Sequence, residues 1–226
     1  MARKTKEEAE RTYHALLDAA TKLFIRQGVA KTTLNQIASE AGMTRGAIYW
    51  HFNNKDAVIQ ALWERNDEKL RLPLSTMLSN LSQPYPAQDF CAAVKNLLHN
   101  IVLEPELGQT FRIILHSVEF TDEETEIQRF LNGKWLEFYS IIEDGFIALK
   151  QHKALRTDLA PDLLTHSLMS YIHGLIHSYL TPRNHKLDLQ KEGDRLIDIF
   201  LNAVIIDQGP RIDSNRTKTK ISKNYD

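Results

Sequence analysis

TTLNQIASEAGMTRGAIYWHFNNK, residues Thr32 to Lys55, contains two helix starts separated by one helix stop. Thr33 stands three residues before Gln36, so its hydroxyl can accept from the Gln36 backbone N–H while the Gln36 side chain reaches back, a capping box. Ile37, Ala38 and Ala41 then make one apolar stripe. Gly42 ends it, because glycine takes the left-handed conformation that stops a helix and turns the chain. Thr44 caps a second helix, in which Ala47, Ile48 and Phe52 turn inward and Arg45, Gly46, Tyr49 and His51 stay on the wet side. Two short helices joined by a glycine turn make a helix-turn-helix. The exposed start of the second helix offers Thr44 and Arg45 to base edges, Gly46 permits close backbone approach, and Tyr49 and His51 reach phosphate oxygens. Asn54 caps a third helix with Lys55 in its first turn. The helix dipole disfavours a cation there, and a bound phosphate would remove the conflict.

Outward from this stretch, Leu16, Leu17, Ala20, Leu23 and Phe24 recur at three- and four-residue steps, which predicts an amphipathic helix from Glu10 to Gln27 ended by Gly28. Leu16 and Phe24 supply the core against which Ile37, Ile48 and Phe52 pack. Ahead of it, Arg3, Lys4 and Lys6 can trail toward phosphates. The net charge of the chain is −1, yet it is unevenly placed. Residues 1–55 hold nine Lys/Arg against five Asp/Glu, +4, residues 56–206 sum to −7, and the last twenty to +2. A basic module on an acidic body is the electrostatic footprint of a DNA reader.

Composition bounds the rest. A chain of 226 residues, 42% hydrophobic and 25% charged, is globular and forms one or two domains. The single cysteine, Cys91, excludes an internal disulfide and any cysteine-cluster zinc site, which makes a reducing cytoplasm the expected compartment. No apolar run approaches the roughly 20 residues of a membrane span, so no membrane role is expected.

After Lys55 the helix is expected to run through Val58, Ile59, Leu62, Trp63 and Leu70 until Pro73 interrupts its hydrogen bonding. It joins the head to the body and is the expected lever of a switch. Beyond the Gln83-Pro84-Tyr85-Pro86 loop, amphipathic segments are predicted over 87–103, 107–119, 122–152, 161–180 and 188–206. Asp122, Glu123, Glu124 and Glu126 read as a helix start. The fold class is all-α: a three-helix head, residues 1–55, on a helical bundle for ligand binding and dimerisation, residues 56–207, with a disordered basic tail, residues 208–226.

Enzyme chemistry finds no residues: there is no phosphate-binding glycine loop, nucleophile elbow or cysteine dyad. His166, His173 and His177 share a helix face, and the last two have metal-pair spacing without a carboxylate partner. In the body Trp63, Phe90, Phe111, Trp135, Phe138, Tyr139, Met169 and Tyr171 interleave with the polar Asn66, His116, Ser140, Ser167 and His173, the mixture of a mostly apolar ligand pocket.

The head resembles the DNA-binding domain of the TetR family of bacterial repressors. The residues that carry the likeness are Ile37-Ala38, Ala41-Gly42-Met43, Thr44-Arg45-Gly46, Tyr49-Trp50-His51-Phe52 and Asn54-Lys55, with Met43 where valine is usual. The run TRGAIYWHFNNK and the opening MARKTKEEAE are similar more narrowly to members that repress multidrug efflux pumps. The likeness covers the first quarter of the chain, and it implies an effector pocket in the body.

The expected protein is therefore a ligand-responsive repressor that binds a palindromic double-stranded operator as a homodimer, with no cofactor and no metal. Its DNA-facing set is Thr33, Thr44, Arg45, Gly46, Tyr49, Trp50, His51 and Lys55. A hydrophobic or cationic effector would bind among Val94, Leu97, Phe138, Ile142, Met169, Ile172 and His173. Surplus apolar surface on the last two helices, at Leu168, Leu175, Ile176, Tyr179, Ile199 and Phe200, implies a partner copy. A metal-sensing regulator, and a protein whose helix-turn-helix is only structural, remain as alternatives.

Overall fold

The structure, a computed structural model, describes residues 6–79, 81, 85–117, 125–181 and 187–206, with the side chains of 116 and 117 excepted. The basic tail, the terminal Arg3 and Lys4, and the carboxylates Asp122, Glu123 and Glu124 lie outside the described residues. Those described form nine α-helices joined by short connections.

The head consists of α1 (Lys6–Gln27), α2 (Leu34–Glu40) and α3 (Arg45–His51). Helix α1 begins one turn before the expected Glu10 and ends at Gly28, whose φ of +83° only glycine takes without strain. Thr33 and Gln36 form the capping box reciprocally. At the other end of α2, Gly42 N–H donates to Ser39 O and Met43 N–H to Ala38 O, a Schellman closure with Gly42 at φ +66°. Thr44 then starts α3 by accepting from Ala47 N–H at 3.2 Å. Leu16, Leu17, Leu23, Phe24, Ile37, Ile48 and Phe52 are buried together as one core, while Ala47 is only half-buried.

Helix α4 (Lys55–Ser79) leaves the head and packs on α1 and against α5, α6 and α7. It does not stop at Pro73, as the sequence led us to expect. Proline removes one helical bond and crowds the preceding turn, a cost of about 3 kcal/mol. Leu70, Leu74 and Leu78, on both sides of it, are buried. Each burial is worth roughly 1.5–3 kcal/mol, so tertiary packing outweighs the local penalty.

The body follows as α5 (Pro86–Leu103), α6 (Pro105–Ser117), α7 (Glu126–Gln151), α8 (Pro161–Leu180) and α9 (Leu189–Val204). Pro86 and Pro161 sit in the first turn of their helices, where no N–H is needed. Helix α7 starts on a second capping box, Thr125 with Gln128. Arg156 N–H donates to Val204 O and Ile206 N–H to Ala154 O, which ties the α7–α8 connection to the end of α9. No helix among the described residues is long and apolar enough to cross a membrane.

Candidate nucleic-acid interface and effector cavity

The outer face of α3 is open. Arg45 and Gly46 are exposed, Tyr49 is 45% exposed and Trp50 72%. Arg45 lies 5.5 Å from the Tyr49 ring centre, one helical turn away, so the ring holds the guanidinium on the outer surface. A Cβ at Gly46 would meet only Thr44 Oγ1, at 3.9 Å. Glycine in a helix costs about 0.5–1 kcal/mol relative to alanine, and no contact among the described residues requires it here.

Two residues of the expected DNA face are placed differently. His51 is half-buried rather than on the wet side, its ring 5.6 Å from Tyr13 and 4.5 Å from Trp50. Tyr13 stacks on Phe52 at 5.3 Å, and burial raises its pKa, with Glu64 adding to the effect and Arg65 opposing it. Lys55 is not a bare cation awaiting a phosphate. Its Nζ donates to Val29 O at 2.7 Å and Ala30 O at 3.3 Å, so the backbone after α1 supplies the negative partner that the helix dipole denies it. Thr33 spends its hydroxyl on the α2 cap.

Helix α4 is bound at both ends. Toward the head, Arg65 Nη1 meets Asp18 Oδ1 of α1 at 2.7 Å. Toward the body, Lys69 meets Glu106 at 3.1 Å, and Arg71 meets Asp67 at 3.0 Å and Glu137 of α7 at 3.6 Å. The Asp67 hydrogen bond and charge raise the Arg71 pKa above its ordinary value.

A cavity of about 290 Å³ opens between α4, α5, α6, α7 and α8. Leu97, Phe138, Met169, Ile172 and His173 line it as expected. Val94 and Ile142 do not. Both are fully buried among other side chains, because a position one helical turn along can face a neighbouring helix instead of the gap. Leu70, Ile101, Phe111, Trp135, Tyr139, Ser170 and Ile176 complete the wall, and of these Phe111, Trp135 and Tyr139 were legible as interleaved aromatics. Phe90 packs on Phe146 at 4.7 Å, and Tyr171 stacks on Phe200, so neither belongs to the wall. Ser140 and Ser167 are exposed.

Among the described residues the wall holds no carboxylate. His173 stands at its open side, 5.9 Å from Trp135, with its pKa lowered by burial and then by His177. Both influences favour the uncharged imidazole. His166 packs on Tyr139 at 5.0 Å, and among the described residues no cluster of three His, Cys, Asp or Glu groups converges on a metal-sized space. Burial pushes the Cys91 thiol up to about 11, so it is a packed residue and a poor nucleophile.

The two predicted interface helices divide into inner and outer faces. Leu168 and Ile176 lie inward, 0% and 3% exposed, and so belong to the protomer's own core. Ile199 is 65% exposed, and Leu175, Tyr179, Leu196 and Phe200 are half-buried. Gly174 has nothing within 4 Å of where a Cβ would stand.

A helix-turn-helix head on an all-α body with an apolar cavity is the architecture of a one-component DNA-binding regulator. Residues 16–62 match the model of bacterial regulatory proteins of the tetR family, and residues 86–205 that of the MAATS-type transcriptional repressor C-terminal region. The chain belongs to the TetR family of transcriptional regulators. It is 32% identical to the transcriptional regulator AcrR of Shigella flexneri over 91% of this chain and 95% of that one. It is equally 32% identical to TtgR of Pseudomonas putida, over 90% and 96%. Its fold matches NalD of Pseudomonas aeruginosa, the secondary repressor of the MexAB-OprM multidrug efflux pump, with a TM-score of 0.76, 28% identity, and coverage of 89% of this chain and all of that one. SmeT in complex with triclosan matches with a TM-score of 0.72 and 27% identity, over 87% and 93%. The two family models leave 63–85 between them, most of α4, so head and body share that helix.

The open surroundings of Gly46 give a direct expectation. Gly46→Ala should stabilise the folded protein by about 0.5–1 kcal/mol in thermal or urea unfolding. A loss of stability would mean that the glycine answers an internal contact.

Proposed function

We propose that this chain is a repressor of a multidrug efflux pump gene, binding a palindromic operator in the cytoplasm as a homodimer and released by an apolar effector. The outward face of α3 carries the reading: an arginine, a glycine without internal purpose and two exposed aromatics on the second helix of a helix-turn-helix. Arg45 reads a base edge from the helix start, most simply guanine. Tyr49 and Trp50 flank it toward the backbone, with Thr33, Thr44 and His51 at the edges, and Gly46 lets the helix approach closely. Lys55 serves differently, holding α4 against the α1–α2 turn and so setting where α3 stands.

The partner copy is expected on α8 and α9. Leu196, Ile199, Phe200 and Ala203 form one i, i+3, i+4, i+7 face, and beside it Tyr171, Gly174, Leu175 and Ser178 form another with room for close approach. A two-fold pairing of these faces sets two recognition helices about 34–36 Å, or a multiple, apart along the duplex.

The cavity is the effector site, and its uncharged aromatic wall favours the hydrophobic half of the expected ligand range over the cationic half. Leu70 brings α4 into that wall, while Lys55 and Arg65 of the same helix hold the head. A ligand that shifts α4 therefore changes the separation of the two heads.

Three measurements test the reading. Arg45→Ala should weaken operator binding by about 1–3 kcal/mol and relax specificity at one position per half-site; equal losses on operator and random DNA would remove the base-reading role. Ile199→Glu should yield a 26.0 kDa species in sedimentation and lose operator binding, whereas a wild-type protein that already sediments as a monomer overturns the dimer. Titration of triclosan with and without saturating operator should differ by about 5- to 150-fold, since coupling is reciprocal. Identical affinities would show that the compound is no inducer.

A further inference from the structure

The cavity is polar on one side only of its described wall. Of the twelve described residues that line it, eight, from Leu70 on α4 to Ile176 on α8, are apolar and no more than 5% exposed. The other four are Trp135 and Tyr139, half-buried on α7, and Ser170 and His173, exposed on α8. The solvent-facing side is therefore the seam between α7 and α8, and the polar groups of the wall gather there.

Ring contacts across the seam set its register. The His173 ring lies 5.9 Å from Trp135, and the His166 ring 5.0 Å from Tyr139, one turn further along α7. Ser170 stands between the two histidines on α8 and His177 one turn beyond them, all four exposed, in an i, i+4, i+7, i+11 stripe. At 3.6 residues per turn the stripe spans an arc of about 60°. The face of Tyr171, Gly174, Leu175 and Ser178 proposed for the partner copy is turned roughly a third of a turn away, so pairing there does not cover the stripe.

This mouth offers donors. The Tyr139 and Ser170 hydroxyls donate, and the His173 imidazole donates an N–H in either protonation state. Protonation of any histidine in the stripe adds positive charge, and no described wall residue supplies a carboxylate against it. We propose that the cavity selects aromatic carboxylates, bound with the ring among the buried apolar residues and the carboxylate at the α7–α8 seam against Tyr139, Ser170 and His173. An ammonium at the same place would meet no anion. The reverse orientation would strip the carboxylate of water among side chains that carry no donor. The volume of about 290 Å³ suits two fused rings, since an apolar cavity of about 150 Å³ accepts one benzene in another protein. The ring is also the end that meets Leu70, so the part of the ligand that reaches α4 is not the part that is selected by charge.

The inference rests on the cavity being the effector site, and the two fail differently. Full-length protein is titrated by calorimetry at neutral pH with 2-naphthoate, its neutral analogue 2-naphthamide, trimethyl(2-naphthyl)ammonium and 2,6-naphthalenedicarboxylate. Naphthoate should bind about three- to tenfold more tightly than naphthamide, a modest ratio because water and salt screen an exposed mouth, and more tightly than the cation. The dicarboxylate, whose second charge has to enter the apolar end, should bind at least about tenfold more weakly than naphthoate. His173→Gln, which keeps a donor and removes the ionisable ring, should bring the naphthoate-to-naphthamide ratio below about two by weakening naphthoate alone. If His173→Gln loses naphthamide binding as well, Ser170→Ala, expected to lower the same ratio, and the wild-type ratio decide. Naphthamide or the cation binding as tightly as naphthoate, or a ratio unchanged in the folded variants, would overturn the selection of anions. A dicarboxylate as tight as naphthoate would overturn the orientation. Each of these results leaves the cavity as effector site, whereas failure of all four probes to bind would overturn the cavity's role and the inference with it.

Discussion

The ammonium of Lys55 seated on the Val29 and Ala30 carbonyls is the contact on which the arrangement of the head depends. It places a cation at the N-terminus of α4, where the helix dipole opposes it, and the backbone oxygens of the α1–α2 turn offset that opposition. The consequence is mechanical. The turn that precedes α2 and α3 is attached to the first residue of α4, the helix that runs from the head into the body.

At its other end α4 is part of the body. Leu70, Leu74 and Leu78 are buried across Pro73, Lys69 pairs with Glu106 of α6, and Arg71, paired with Asp67 one turn back on α4, reaches Glu137 of α7. Exposed ion pairs contribute little stability each, about 0–1 kcal/mol. Their use here is positional, because apolar packing lets helices slide more readily than directional bonds do. Arg65 to Asp18 acts the same way toward α1, with the arginine largely covered.

The cavity owes its existence to mismatched side chains around this helix. Phe111, Trp135 and Phe138 meet edge to face or tilted, around Trp63, and rings held at such angles leave space that aliphatic chains would fill. The space is mostly apolar, and burial, with His177 beside it, lowers the pKa of His173 in its wall.

The head was legible because its determinants are local. Capping boxes, the Gly42 closure and the Thr44 cap act over three to five residues, so residue types at fixed offsets state the geometry outright. The limits of the body helices followed from proline positions and apolar periodicity for the same reason. Tertiary structure decided everything that required knowing which neighbour a face would meet. The partner of Lys55 lies 26 residues away, and Pro73 is overridden by packing with helices the local chain does not contain. Leu97 faces the cavity while Val94 faces the core, and Ile199 is exposed while Leu168 is buried, although each pair is equally apolar. Periodicity determines that a helix has an apolar face; only the packed neighbours decide whether that face closes on the core, borders a cavity or is left for another molecule.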